Sequence, residues 1–178
     1  MRQQLPSIGN LCSFSANQRL EPSSLAWHED PVLAGAGVSF HTAVHVFDAI
    51  RFITGLEVQR VIAVVRRQHN AALEDLLAVL VEMEQNVVGT IDCSKIGHAR
   101  SGRYEFVGYD GQMHGDQVHN TLEFIHGSDI KRPEMSGSGN TIIPLLKDWY
   151  AFLKGDGQNP VTGEDGLAAV RLCEACLE

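Results

Sequence analysis

LEDLLAVLVEMEQNVVGTIDCS, residues 73–94, holds two apolar runs, Leu73 to Met83 and Val87 to Ser94, separated only by Glu84-Gln85-Asn86. Runs of this length, rich in Val, Leu and Ile and divided by three polar residues, read as two strands joined by a tight turn. Strands joined this closely leave no room for a crossover helix and must run antiparallel. The pattern continues outward from this pair. Val58 to Arg66 is β-branched and strand-like on the N-terminal side. Arg103 to Tyr109 and Leu122 to His126 follow on the C-terminal side, and Asp110-Gly111 is a hairpin signal because both residues favour left-handed backbone. Ile8 to Ala16 partly alternates and makes an earlier strand.

Three segments carry helical signals instead. His41 to Thr54 has the 3.6-residue period, and Gly55 supplies its stop. Asn140 can cap a helix from Thr141 to about Leu153. Thr162-x-x-Asp165 is a capping-box-like start, acidic in its first turn, to a last helix reaching about Leu177. Arg19 to Pro31 and Gly127 to Gly139 read as loops. The order of strand, helix, a run of strands and two helices predicts an α+β fold over a single domain, 1–178. Its mainly antiparallel open sheet has about six strands, with helices packed on one face.

A chain of 178 residues can bury a sizeable core without staples. Its 22 acidic and 14 basic side chains give a net charge of −8, which argues against a nucleic-acid or anionic-membrane surface. Arg66-Arg67 and Lys131-Arg132 are too short to form one. The segment from Met1 to Asn10 lacks an apolar signal-peptide core, and no stretch approaches 18 apolar residues, so a soluble protein is expected. Four scattered cysteines do not make a disulfide framework and suit a reducing cytoplasm. Cys173-x-x-Cys176 has no second CxxC, and its two thiols share one face of a helix, which reads as packing.

The segment 41–54 is the chemically informative one. At about 100° per residue, His41, His45, Asp48 and Phe52 fall within roughly 60° of one another, while Ala43, Val46, Phe47, Ile50 and Ile53 fill the opposite side. The helix therefore packs through one face and presents two imidazoles and a carboxylate on the other. Such a face is either merely solvated or a site for proton transfer, since imidazole exchanges protons near neutral pH. Asp48, one turn beyond His45, is placed to orient that ring. His41-x-x-x-His45 also has the spacing of a helical zinc pair, but it lacks the Glu of HExxH and a third ligand.

Dinucleotide signals are negative. Gly35-x-Gly37 continues to Phe40 where a third glycine belongs, and Gly137-Ser138-Gly139 emerges from a loop. Neither opens a βαβ unit with an acidic residue about twenty positions on.

Trp27 to Gly55 (WHEDPVLAGAGVSFHTAVHVFDAIRFITG) resembles the start of the C-terminal domain of the glucose-fructose oxidoreductase/inositol dehydrogenase (Gfo/Idh/MocA) family. Asp30-Pro31, Ala34-Gly35, Gly37-Val38, His45, Asp48, Arg51 and Gly55 match its pattern in order. Glu74-Asp75, Gly89-Thr90, Gly108-x-Asp110-Gly111 and the stretch from Pro160 to Leu167 resemble its later strands and last helix, so the likeness runs from about residue 8 to the C-terminus. The resemblance implies an open, mainly antiparallel sheet that serves self-association, while the other side faces a Rossmann domain or subunit bearing NAD or NADP. It also implies hydride transfer at a sugar, inositol or related polyol. His45 aligns with the family's catalytic histidine and His41 replaces a supporting Asp, which makes these two the expected catalytic residues. Asp48, Trp27 and Arg19 complete the expected substrate-binding set. Ala43 replaces a usual Gly. No cofactor-binding half and no E-K-P lysine are present in this sequence.

Three readings follow. The chain is the substrate and assembly domain of an NAD(P)-dependent oxidoreductase, as a fragment or truncated form inactive on its own. Alternatively it is a freestanding module that oligomerises or binds a small polyol, or a metal-assisted enzyme using His41 and His45.

Overall fold

A computed structural model describes residues 1–135 and 142–178. Eight strands form one sheet: β1 (Leu11–Arg19), β2 (Val58–Arg66), β3 (Leu76–Met83), β4 (Val88–Ser94), β5 (Ser101–Gly108), β6 (Gln112–Asp116), β7 (Thr121–His126) and β8 (Asp129–Lys131). Their spatial order is β2-β3-β4-β1-β5-β6-β7-β8. Every pairing is antiparallel except β1 with β4, which is parallel. The first strand thus lies in the middle of the sheet and joins two meanders. Four α-helices accompany it: α1 (Pro31–Ala34), α2 (Val44–Thr54), α3 (Ile142–Lys154) and α4 (Gly163–Ala175).

The α+β architecture agrees with the sequence reading, and the sheet is larger than the six strands expected. β6 and β8 are the additions. Gln112–Asp116 (QMHGD) and Asp129–Lys131 (DIK) carry too little apolar alternation to announce a strand, and β8 falls inside the segment expected to be loop. Ile8 belongs to a 3-10 turn over Arg2–Ile8, so β1 begins and ends three residues later than Ile8 to Ala16. Its complete burial reflects a place in the core, not in a strand. The strand expected from Leu73 begins at Leu76, because Glu74 and Asp75 turn away to brace neighbouring loops. Asn140, the expected helix cap, and Gly137-Ser138-Gly139 lie outside the described residues.

One face of the sheet carries the core. Phe14, Ala16, Leu77, Val79, Val81, Ile91, Cys93, Tyr104, Phe106 and Met113 alternate inward and meet Val46, Phe47 and Ile50 of α2 and Cys173 of α4. The predicted apolar side of the helix is therefore its buried side. Gly89 is part of this fit, since a Cβ there would run into the Phe14 ring stacked over it. The Thr162 hydroxyl accepts from the Asp165 amide while the Asp165 carboxylate accepts from the Thr162 amide, the capping box that starts α4. Among the described residues no helix is long and apolar enough to cross a membrane.

Candidate functional site

The entrance to α2 is not regular. Ser39–Ala43 forms a π-helical turn that passes directly into α2, and such turns recur at functional sites. Four hydrogen bonds fix it. The Glu74 carboxylate accepts from the amides of Gly37 (2.9 Å) and Ser39 (3.1 Å), and the Val38 amide donates to the Glu74 carbonyl at 2.8 Å. From α4, the Cys173 thiol donates to the Ser39 carbonyl at 3.2 Å. Gly37 is needed for this closeness, because a Cβ would collide with the Glu74 carbonyl oxygen. At its other end α2 is held by Arg51, whose guanidinium forks onto Glu57 (2.7 and 2.8 Å) and also donates to the Asp165 carbonyl. Gly55 closes the helix at φ 69°, in the left-handed region where glycine is favoured.

The π turn carries His41 into a small cleft at one end of the sheet, with about 80 Å³ of free space. His28 stacks on His41 with ring centres 4.3 Å apart, and the Trp27 edge meets both imidazoles. The Lys95 ammonium, just beyond β4, donates to His28 Nδ1 at 3.3 Å. That bond requires a neutral His28 carrying its proton on Nε2. Burial, the Lys95 charge and His28 together hold the His41 pKa below the usual imidazole range, against a weaker pull from Glu74. Burial and Lys95 do the same to His28. Burial also lowers Lys95. On the opposite wall the Asp75 carboxylate accepts from the amides of Gln68, His69 and Asn70 at 2.6–3.1 Å. Burial alone would raise its pKa, but these bonds outweigh it and bring it below the usual range.

Of the expected residues, the structure places His41 in the lining of this cleft and Trp27 against the His41 ring. His45 and Asp48 stand exposed further along α2, and no hydrogen bond links them. Arg19 is at the same end of the sheet but on its uncovered face, paired with Asp92 at 2.7 Å. Sequence reasoning missed His28, Lys95 and the wall acids as site residues. Glu74-Asp75 stood out only as a matching motif, and nothing local marks residues 28, 41, 74 and 95 as neighbours. Among the described residues no group of three or more His, Cys, Asp or Glu is arranged to hold a metal ion.

The region around Gly35–Gly37 does not fit a pyrophosphate. The amides of Gly37 and Ser39 already serve a carboxylate, and α1 has only four residues.

No curated protein sequence matches the chain. Solved structures do. A levoglucosan dehydrogenase in complex with NADH superposes with a TM-score of 0.86 at 18% identity, over 99% of this chain and 58% of that one. UDP-N-acetylglucosamine 3-dehydrogenase from Acidithiobacillus ferrooxidans gives 0.83 at 14% identity, over 98% and 55%. Aldose-aldose oxidoreductase from Caulobacter crescentus, complexed with glycerol, gives 0.85 at 19%, over 98% and 55%. The chain thus spans little more than half the length of these proteins, and at such identities the likeness shows the fold. The family model for the GFO/IDH/MocA C-terminal domain matches residues 7–114, more than half of the sequence, and the chain belongs to that family.

Proposed function

We propose that this chain is the substrate-binding and oligomerisation domain of an NAD(P)-dependent oxidoreductase acting on a sugar, inositol or related polyol. The observation that carries the reading is the π turn entering α2, which sets His41 in a polar cleft beside Trp27 and leaves His45 and Asp48 free on the same element. Three solved relatives named as sugar dehydrogenases or sugar oxidoreductases support the substrate class. A nicotinamide ring would supply the hydride acceptor or donor and would come from a second domain or subunit. On this chain's side, His45 exchanges the proton of the reacting hydroxyl, with His41 supporting it, and Trp27 and Asp48 hold the polyol. Arg19, on the uncovered face, contributes through the assembly.

Two surfaces are suited to the partners this reading requires. α3 is amphipathic but buries none of its side chains, and Ile142, Leu146 and Leu153 are largely exposed. It offers an apolar stripe to the nucleotide-binding partner. On the uncovered face of the sheet, Ile62, Val64, Leu80 and Val88 are 44–48% exposed and adjoin one another across β2, β3 and β4, a patch for a second copy of the chain.

The test pairs this chain with a nucleotide-binding domain taken from a member of the same family and assays hydride transfer over a panel of sugars, inositols and polyols. Expected is turnover on at least one of them, lowered about 10²–10⁴-fold by His45→Ala and less by His41→Ala, with thermal stability unchanged by the former. Polyol binding without turnover in any pairing would favour the freestanding module.

A further inference from the structure

The cleft around His41 has an unusual balance of donors and acceptors. The Asn70 carbonyl oxygen accepts from the amides of Ala72 and Leu73 at 2.8 and 3.1 Å, which leaves its NH₂ group free. The Ser23 hydroxyl oxygen accepts from the Leu25 amide at 3.1 Å and keeps its proton. Asp75 is taken up by three loop amides and one Glu74 oxygen by two more. His28 Nδ1 is taken up by Lys95. Among the lining residues, donors are left over: the rest of the Lys95 ammonium, His28 Nε2–H, the Asn70 side-chain amide and the Ser23 hydroxyl. Against them stand the second Glu74 oxygen, the rings of His41 and His69, each able to offer an acceptor nitrogen, and Glu29 at the exposed rim.

Lys95 is half-buried, and among the described residues no carboxylate lies within ion-pairing distance of it. A cation withdrawn from water without a counter-charge is costly, and an incoming anion restores that charge. The cost falls in the free protein, so it favours the bound state.

We propose that the Lys95–His28–His41 cleft is an anion subsite, and that the polyol this domain binds carries a carboxylate or phosphate at one end. The proposal rests on the substrate-domain reading above and narrows it. The space admits one such group with a few water molecules and no nucleotide. Lys95 meets the anion directly, the Asn70 and Ser23 donors complete its hydrogen bonds, and the remaining Glu74 oxygen accepts from an adjacent substrate hydroxyl.

The purified chain, titrated with D-gluconate, D-glucose 6-phosphate and neutral D-glucitol, tests this by NMR of the histidine rings, with His28 and His41 assigned through His28→Gln and His41→Gln. At least one of the two anions is expected to shift both ring signals and to bind about tenfold or more tightly than glucitol, charge-assisted bonds being about twice as strong as neutral ones. Whichever anion responds identifies the group. Lys95→Met should abolish the preference with an unchanged melting curve, and Lys95→Arg should keep part of it. Glucitol binding as tightly as both anions would overturn the anion subsite and leave the polyol reading standing. Silence from all three would overturn both. Should neither Lys95 variant fold, the comparison of gluconate and glucose 6-phosphate with glucitol on the unaltered chain decides alone.

Discussion

The two faces of the sheet are built by different physics. The helix-covered face is a closed apolar core in which Phe47, Phe106, Leu77 and Met113 are completely or almost completely removed from water. The uncovered face is a mosaic. It has an apolar corner at Ile62, Val64, Leu80 and Val88, then charged pairs across the strands: Arg19–Asp92, Arg60–Glu82 and Arg103–Asp116. The first face determines whether the domain folds, and the second is left available for association. One alternating sequence serves both, because successive strand residues point to opposite sides.

The sharpest way to break this contrast is truncation on each face. Phe47→Ala should cost about 3–5 kcal/mol in urea unfolding, the usual range for an emptied aromatic site. Leu80→Ala, on the other face, should cost under about 1 kcal/mol in the dilute protein, as surface substitutions generally do. Equal losses would mean that the uncovered face is already packed against something.

Charge gives the next largest effect. Burial alone would raise the Asp116 pKa, but the His119 ring at 2.9 Å and the amides of His119 and Val118 outweigh it and bring it to about 2. A carboxylate depressed in the folded state stabilises above its unfolded pKa and loses that contribution as pH falls through the folded one. Asp116→Asn should therefore cost about 2 kcal/mol at pH 7. The gap between mutant and parent should close between about pH 4 and pH 2, and a gap that persists in acid would point to packing instead.

Leu80→Asp addresses association. The expectation is a dissociation constant raised about tenfold or more in sedimentation, from burying an unpaired charge in the interface, with circular dichroism unchanged. A parent chain that stays monomeric at all concentrations would remove the proposed interface. The smallest signal is a silence. Burial pushes the thiols of Cys93 and Cys173 up to about 12 and Cys176 to about 11, so native protein at pH 8 should titrate with a disulfide reagent only at exposed Cys12. All four should react in denaturant.

The core was legible because it is periodic. The Glu84–Asn86 turn, the Gly55 stop and the Thr162 capping box were each written in adjacent residues; Asp110-Gly111 does lie between β5 and β6, but neither residue takes the left-handed backbone on which that signal rested. β6 and β8 were not, since their pairing is imposed by the strand beside them and not by their own side chains. The π turn was also hidden: Val46, Phe47 and Ile50 keep the same apolar period whether the turn before them is α or π. The cleft was the least legible part. Trp27, His28 and His41 came from one segment, yet Lys95 meets them only because β4 ends at the same corner of the sheet as the 3-10 turn at Ala26–Glu29.

The central place of β1 has a consequence for how the chain comes together. Ser13 pairs with Val88 and Phe14 with Phe106, partners some 75 and 92 positions away. β1 is synthesised before both partners and must therefore wait until β4 and β5 have emerged. Until then it is an unpaired edge on two sides, the situation in which slow folding and misassociation arise. Removing residues 1–19 would not trim a border. It would leave β2-β3-β4 and β5-β6-β7-β8 as two separate hairpin arrays with no hydrogen-bonded strand between them.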